Sequence, residues 1–188
     1  TEYDNQRINI LIGTGLGQKS LQTEEMIQLY QPQTGKLIKK LTTSRSIAKR
    51  DIHFVIFQNL TFWHARGGTE ITRTGDMKPT FERAAHIAQA SALKIAENPP
   101  PRLRQFYEYK QSISPLIKKG LLTTIHGDEN IILPGISVRI TEGSYWGHQL
   151  VFLQLGGQKF VIAGDLIPTW YNLARECVSP LHAGVQRS

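Results

Sequence analysis

The chain has 188 residues, a net charge of +7 at pH 7, 40% hydrophobic residues and one cysteine. This length suits a single domain spanning residues 1–188, and the lone Cys177 excludes an internal disulfide or a thiolate metal cluster. The longest apolar runs, NIILPGI and KFVIAG, are too short to cross a bilayer, and no secretion leader opens the sequence. We therefore expect a cytoplasmic protein without a transmembrane segment.

The first half of the chain contains alternating strand and helix patterns. The segment RINILIGTGLG predicts a buried strand over residues 8–12 that ends in a glycine-rich turn. The G-x-G-x-G spacing differs from that of a dinucleotide-binding loop. Helical spacing predicts a helix over 23–30 and a second one over 36–41, and the apolar segment 52–57 predicts a central strand.

Positive charge is concentrated in the segment that contains the second helix. Lys36 and Lys40 are four positions apart, so on a helix they share a solvated face. No aromatic side chains alternate with the cations, as they do in proteins that bind single-stranded nucleic acid. A solvated face is the favoured interpretation, and an anion-binding patch is the alternative. The six basic residues concerned are Lys36, Lys39, Lys40, Arg45, Lys49 and Arg50.

After the central strand comes a polar segment, TEITRTGDMKPT, which predicts an exposed loop or hairpin. AAHIAQASALKIAE predicts a strand that continues into a helix, which the prolines at 99–101 must end. RLRQFYEYKQSISPLIKKG predicts a helix interrupted at Pro115. HQLVFLQLGGQKFVIAGDLI predicts a hairpin that turns at Gly156 and Gly157. Mixed strands and helices of this kind indicate a layered α/β domain.

Four segments in this order resemble the metallo-β-lactamase superfamily, nearest its lactonase-like hydrolases. They are ILIGTGLG, DIHFVIFQNLTFWHARGG, LPGISVRITEGSYWGHQLVFL and GDLIPT, and the resemblance covers residues 8–169. It implies an α/β (α+β) fold, the αββα sandwich of that family, which here lacks some N-terminal and C-terminal elements. Residues 170–188 would form a C-terminal tail to which the resemblance assigns no structure.

The resemblance also locates the metal-binding positions of the family. Its His-x-His-x-Asp-His motif falls on Asn59, Thr61, Trp63 and His64. A further metal-binding histidine falls on Ser144, and the aspartate that bridges two metals is Asp165. Of these positions, only His64 and Asp165 keep a residue that binds zinc well, whereas a catalytic zinc needs about three protein ligands. A supporting aspartate is replaced by Gly13, and His182 lies too close to Asp165 to match the last histidine.

These replacements predict a non-catalytic protein that acts as a binding, scaffold or regulatory subunit, with no cofactor and with another protein chain as partner. The first alternative is a residual lactone or ester hydrolase with one weakly held zinc, manganese or iron ion at His64 and Asp165. The second is a nucleic-acid-associated module that uses the basic segment. A metal-free hydrolase, with Thr61 or Ser144 as nucleophile beside His64 and Asp165, is a remote third.

Simpler structural roles are also open for the same residues. His64 would bond to nearby backbone at the end of the strand, and Asp165 would cap the following turn. His148 matches a histidine that supports structure in the family, and His126 fits a turn. His53 and His86 fall within predicted elements and have no evident partner.

Overall fold

The computed structural model describes residues 2–3, 6–18, 23–31, 33, 35–141 and 143–175. Cys177 and His182 lie outside these residues, as does the tail beyond residue 175. Within the described part, no helix combines the length and the apolar character needed to cross a bilayer.

Twelve strands and six α-helices are described. The strands are β1 (Glu2–Tyr3), β2 (Gln6–Arg7), β3 (Ile10–Ile12), β4 (Phe54–Ile56), β5 (Thr69–Ile71), β6 (Met77–Pro79), β7 (Ala85–Gln89), β8 (Leu122–Ile125), β9 (Glu129–Leu133), β10 (Ile136–Ile140), β11 (Gln149–Leu155) and β12 (Gln158–Ile162). The helices are α1 (Glu24–Tyr30), α2 (Lys36–Arg45), α3 (Phe62–Ala65), α4 (Ala90–Glu97), α5 (Ser114–Lys118) and α6 (Trp170–Ala174). Shorter 3₁₀ turns cover Lys49–Asp51, Arg66–Gly68, Pro101–Phe106 and Gly164–Leu166, and a π-helical turn covers Tyr109–Ile113.

The strands form two four-stranded sheets of different character. The first has the order β3-β4-β7-β8 and is parallel throughout, as expected for apolar strands covered on both faces. The second has the order β12-β11-β10-β9 and is antiparallel throughout. Two-stranded ribbons, β1-β2 and β5-β6, lie outside these sheets.

Two hydrophobic cores place the sheets in layers. The larger core lies between the first sheet and helices, where Ala92 and Ala96 of α4 and Leu116 of α5 pack with Val55. The smaller core contains strand residues only and joins Ile56 of β4 to Val138 and Val151 of the second sheet. Helix, sheet and second sheet are therefore stacked in that order, which is the arrangement expected of one half and the centre of an αββα sandwich.

Three buried glutamines join the two sheets at one edge. Gln149 Nε2 donates to the Phe57 carbonyl at 2.7 Å, and Gln58 Nε2 donates to the Ile162 carbonyl at 2.9 Å. Gln89 Nε2 donates to Gln149 Oε1 at 3.0 Å. Because these groups are cut off from water, each bond compensates a polar atom that would otherwise be costly to bury. This network fixes the end of β4 against β11 and β12.

Most elements match the sequence predictions, including the strand-to-helix change at Gln89–Ala90 and the hairpin turn at Gly156 and Gly157. The predicted helix over 102–120 is wrong in its break point. The chain is extended at Tyr107, between the 3₁₀ and π-helical turns, whereas Pro115 lies in the first turn of α5. Proline is tolerated there because the first helical N–H groups have no intrahelical partner.

The hairpin over 69–79 is confirmed, although Thr69, Glu70 and Thr80 are buried rather than exposed.

Candidate functional site

The segment after β4 carries four of the positions that the sequence singles out: Asn59 and Thr61 precede α3, and Trp63 and His64 lie within it. Asn59 and Thr61 are buried, and the side chain of Asn59 organises the backbone between them. Its Oδ1 accepts hydrogen bonds from Thr61 N at 2.9 Å and from Thr61 Oγ1 at 2.6 Å. Such a bond from an Asn side chain to the backbone two residues on stabilises a tight turn, here leading into α3.

His64 and Asp165 are brought together across the two sheets. His64 Nε2 donates to Asp165 Oδ2 at 2.9 Å, and Asn59 Nδ2 donates to the same oxygen at 3.4 Å. Asp165 lies in the 3₁₀ turn that follows β12. Its side chain therefore bonds to the β4 loop, and the imidazole of His64 bonds to a carboxylate rather than to neighbouring backbone.

The protonation of Asp165 follows from these partners. Burial on its own would raise the pKa of the Asp165 carboxyl. The hydrogen bond and charge of His64, the charge of His148 and the hydrogen bond of Asn59 outweigh burial and lower that pKa below its usual value. The carboxylate is thus ionised at neutral pH and is stabilised by side chains of this chain.

The glycine-rich turn after β3 holds the same loop from the other side. The backbone carbonyl of His64 accepts from Thr14 N at 2.7 Å and from Thr14 Oγ1 at 2.8 Å. A Cβ at Gly67 would lie 2.3 Å from the Thr14 carbonyl oxygen, so only glycine fits this close approach. A Cβ at Gly13 would lie 3.6 Å from His64 Nδ1, which places position 13 beside the imidazole.

Ser144 and His148 lie in the segment between β10 and β11, and both are fully buried. His148 Nδ1 and Thr141 Oγ1 are 3.0 Å apart, which supports the structural role predicted for this histidine. Ser144 Oγ has no hydrogen-bond partner among the described residues. Ser144 and His64 therefore form no nucleophile–base pair, which would require a hydrogen bond between them.

Trp63 packs against the preceding aromatic residue. Its ring and that of Phe62 have centroids 4.0 Å apart at an angle of 40°, and its side chain is partly buried. The prediction that the Trp63 indole fills the metal cavity of the family stays a prediction.

The next turn buries the guanidinium of Arg66, whose Nη2 lies 2.9 Å from Glu108 Oε1.

The donor set at this site does not fit a zinc centre. His64 and Asp165 are the two strong zinc donors among the motif positions, and Asn59, Thr61 and Ser144 offer neutral oxygens or an amide. Among the described residues, no group of three or more His, Cys, Asp or Glu side chains is placed to hold a metal ion. Asn59 Nδ2 and His64 Nε2 both lie within hydrogen-bond distance of Asp165 Oδ2.

The basic segment divides between two elements. Lys36, Lys39, Lys40 and Arg45 lie on α2, where Lys36 Nζ donates to Gln33 Oε1 at 2.6 Å. Lys49 and Arg50 lie on the following 3₁₀ turn, and Lys49 forms an ion pair with the buried Glu70. A buried carboxylate thus compensates Lys49, and the anion-binding role of the six residues stays a prediction.

Other histidines have definite places. His53 Nδ1 accepts from Asn9 N at 3.1 Å, and the His126 carbonyl accepts from Asn130 Nδ2 at 2.9 Å, as a turn residue would. His86 is buried on β7. The glutamine network has no signal in the sequence, because isolated glutamines carry no motif. The burial of Glu70 and Thr80 has no such signal either.

Comparison with known proteins identifies the fold. No family model and no curated protein matches the sequence. Among solved structures, a probable metal-dependent hydrolase from Staphylococcus aureus is similar, with a TM-score of 0.76 and 24% identity over 87% of this chain and 56% of that one. The dizinc quorum-quenching lactonase AidC and the hydrolase AbOPH of the beta lactamase superfamily each give a TM-score of 0.63 and 19% identity over 84% of this chain and 52% of theirs.

The resemblance found in the sequence is therefore confirmed for the fold. The chain has the metallo-β-lactamase fold, with the parallel and antiparallel sheets described above. It spans about half the length of these solved structures.

Proposed function

We propose that this chain is a non-catalytic protein of the metallo-β-lactamase fold that binds another polypeptide. The hydrogen bonds of His64 and Asn59 to the single oxygen Oδ2 of Asp165 carry this proposal. In a hydrolase of this fold type that aspartate would face metal. Here its charge is compensated by an imidazole N–H and an amide N–H.

The chemistry of the surrounding groups supports the same conclusion. Hydrolysis at a site of this kind needs an activated water or an activated nucleophile. Thr61 Oγ1 is committed to Asn59 Oδ1, and Ser144 Oγ makes no hydrogen bond to a base among the described residues. Among the described residues, neither hydroxyl bonds to a base of the kind that nucleophilic catalysis requires.

The exposed edge of the second sheet is the surface we assign to the partner. β12 is the last strand of that sheet, and Phe160 and Val161 on it are 46% and 53% exposed. Trp170 and Tyr171 of α6 follow closely in sequence and are also exposed. Within the described part of the chain no strand pairs with the outer edge of β12. An antiparallel edge with apolar side chains favours pairing with another strand, and the same edge of a second copy is a self-complementary match across a two-fold axis.

Metal content and turnover test the first part of the proposal. The protein is purified without chelator, its zinc, manganese and iron are measured by mass spectrometry, and ester and lactone hydrolysis is assayed. We expect substoichiometric metal and no turnover above buffer. Stoichiometric metal together with turnover that is lost in His64→Gln, but kept in the exposed-histidine control His126→Gln, would overturn it.

Oligomeric state tests the second part. We expect light scattering during gel filtration to give twice the monomer mass at high concentration, and Val161→Lys to return the protein to monomer. Ile131→Lys is the matched control, because Ile131 is also exposed but lies on β9, the opposite edge of the same sheet. A wild-type monomer at all concentrations, or equal effects of the two substitutions, contradicts the assignment of β12 to a second copy.

The second candidate is a hydrolase, because the similar solved structures are named as metal-dependent hydrolases and lactonases. It would use His64 and Asp165 around one zinc, manganese or iron ion. For this to happen His64 Nε2 must exchange its proton for the metal, so the two candidates give opposite results in the metal analysis. A nucleic-acid role for the basic residues of α2 would appear as salt-sensitive binding of oligonucleotides.

A further inference from the structure

A separate cavity of about 250 Å³ lies between the 3₁₀ turn after α2 and the β5-β6 ribbon. None of the residues around it belongs to the His64–Asp165 site. Its volume is below the range of roughly 300–1,000 Å³ that is usual for pockets of organic ligands. It suits a small ion or one group of a larger molecule. The lining residues are Lys49, Arg50, Glu70, Lys78, Thr80, Glu82 and Arg83.

The cavity is positively charged. Four cations and two carboxylates line it, which leaves a net charge of +2. Glu70 is buried and pairs with both Lys49 and Lys78, and Lys78 also lies 2.9 Å from Glu82. The carboxylates therefore hold the two lysines at the wall and neutralise them in part.

The two arginines supply the remaining charge. Arg50 Nε is 3.8 Å from Asp51 Oδ1, which is a loose and exposed pair. Among the described residues, no carboxylate is ion-paired with Arg83. Guanidinium groups present a planar fork of N–H donors that matches the oxygens of phosphate.

A buried hydroxyl also lines the cavity. Thr80 is 6% exposed, and its Oγ1 has no hydrogen-bond partner within the described part of the chain. Its backbone N donates to the Gly68 carbonyl at 2.9 Å, which fixes the residue at the end of β6. Because buried hydroxyls are nearly always paired, an unpaired one at the wall of a cationic cavity leaves a hydrogen-bond donor for the oxygen of a molecule bound there.

We propose that this cavity binds a phosphate group, with Thr80 Oγ1 as hydrogen-bond donor and Arg50 and Arg83 as the main charged contacts. Lys49 and Lys78, held by Glu70 and Glu82, add to the positive potential. The net charge of the lining disfavours a metal cation, and the volume excludes a nucleic-acid strand from the interior. The site is independent of the proposed function, because it shares no residue with the His64–Asp165 pair or with β12.

Calorimetric titration of the whole chain with inorganic phosphate at low ionic strength tests this site. Sodium chloride at matched ionic strength is the reference for non-specific charge effects. We expect saturable phosphate binding that weakens by at least roughly tenfold in Arg83→Gln, because charge-assisted hydrogen bonds are the stronger ones. Thr80→Val, which keeps the shape and removes the hydroxyl, should weaken binding by about three- to tenfold.

Lys39→Gln is the matched control, since Lys39 is an exposed cation on α2 outside the cavity, and it should leave binding unchanged. Circular dichroism verifies that each variant is folded. If Thr80→Val does not fold, Arg83→Gln still tests the site. Phosphoserine is titrated beside inorganic phosphate: tighter binding of phosphoserine supports the site and assigns it to a phosphorylated molecule, and equal or weaker binding supports it for the free ion. No saturation beyond the chloride reference, or equal loss in Lys39→Gln, overturns the proposal.

Discussion

His64 Nε2 and Asp165 Oδ2 lie 2.9 Å apart although 101 positions separate them in sequence. His64 lies on α3, which follows β4 of the parallel sheet, and Asp165 follows β12 at the edge of the antiparallel sheet. The contact thus joins the two sheets where their strands end. It also decides the ionisation of the carboxylate, because burial and hydrogen bonding act on it in opposite directions.

We expect the pKa of Asp165 to lie below the usual aspartate value in the wild-type chain and to rise in His64→Gln. The substitution removes the charge of His64 and leaves burial, which raises the pKa, less opposed. Carbon-13 NMR titration of the side-chain carboxyl measures it directly. His126→Gln removes an exposed histidine and should leave Asp165 unchanged, so an equal rise in both variants would contradict the pairing.

His86 makes the stability of the fold pH-dependent. It is fully buried on β7 against the ring of Phe57, and burial lowers its pKa to about 4. The carbonyls of Ala84 and Leu121 favour the proton but do not offset burial, and neither contact has full hydrogen-bond geometry. Between pH 6.5 and 4 the unfolded chain binds a proton that the folded chain does not, so stability falls as the pH falls.

The expected loss from His86 is about 3 kcal/mol between pH 7.5 and pH 4. Urea denaturation at a series of pH values measures it, and His86→Phe should flatten this part of the curve because phenylalanine does not titrate. His53→Gln, which replaces an exposed histidine, should leave the slope in place. A wild-type curve without a slope between pH 6.5 and 4 would show that His86 is not held neutral.

Removing Glu108, the partly buried partner of the buried Arg66, should strongly destabilise the fold. Arg66 is 2% exposed, and burial lowers its pKa while Glu108 opposes that effect. Glu108→Gln removes the carboxylate that pairs with this buried guanidinium, and we expect a loss of about 3 kcal/mol in the free energy of unfolding. Urea denaturation at pH 7 gives the value.

Two further variants decide whether the loss comes from the burial of the charged guanidinium. Replacing both partners, as in Arg66→Leu with Glu108→Leu, should cost less than Glu108→Gln, since no charge remains buried. Glu129→Gln breaks an exposed pair with Arg139 of the same 2.9 Å length and should cost less than about 1 kcal/mol. Equal losses in Glu108→Gln and Glu129→Gln would rule out burial as the cause.

Gly67 should tolerate no side chain. A methyl group there would lie 2.3 Å from the Thr14 carbonyl oxygen, so the turn and the loop that carries His64 must separate. We expect Gly67→Ala to cost about 3 kcal/mol or more. Gly15→Ala is the control, because Gly15 has a φ of +66° with no atom within 4 Å, so its cost is the backbone strain of roughly 1–2 kcal/mol. Urea denaturation measures the free energy of unfolding of both variants, which compares the cost of steric overlap at Gly67 with the cost of backbone strain at Gly15.

The sequence was informative where local pattern and packing agree. The apolar strand at Phe54–Ile56, the change from strand to helix at Ala90 and the turn at Gly156 follow from periodicity and glycine, and the structure confirms them. The order of the four resembling segments was enough to predict the fold. These features depend on neighbours in the chain, which a sequence displays directly.

Features that depend on distant partners could not be read in this way. The pattern around Tyr107 favours a continuous helix, and burial of that side chain in the larger core is associated with the break. Glu70 reads as an exposed polar residue, yet ion pairs with Lys49 and Lys78 allow its burial. The sequence around His64 predicts a bond to nearby backbone, because it does not show that Asp165 lies beside His64 in the folded chain.

The different architecture of the two sheets has a consequence for how the chain folds. In the antiparallel sheet each strand pairs with the next one along the chain. In the parallel sheet β3 pairs with β4, although α1 and α2 separate the two strands in sequence. Pairings between distant segments lose more chain entropy before they gain contacts, so they form more slowly. We expect the amides of β10 and β11 to gain protection from hydrogen exchange before those of β3. The contact between His64 and Asp165 would then form when the late sheet docks on the early one.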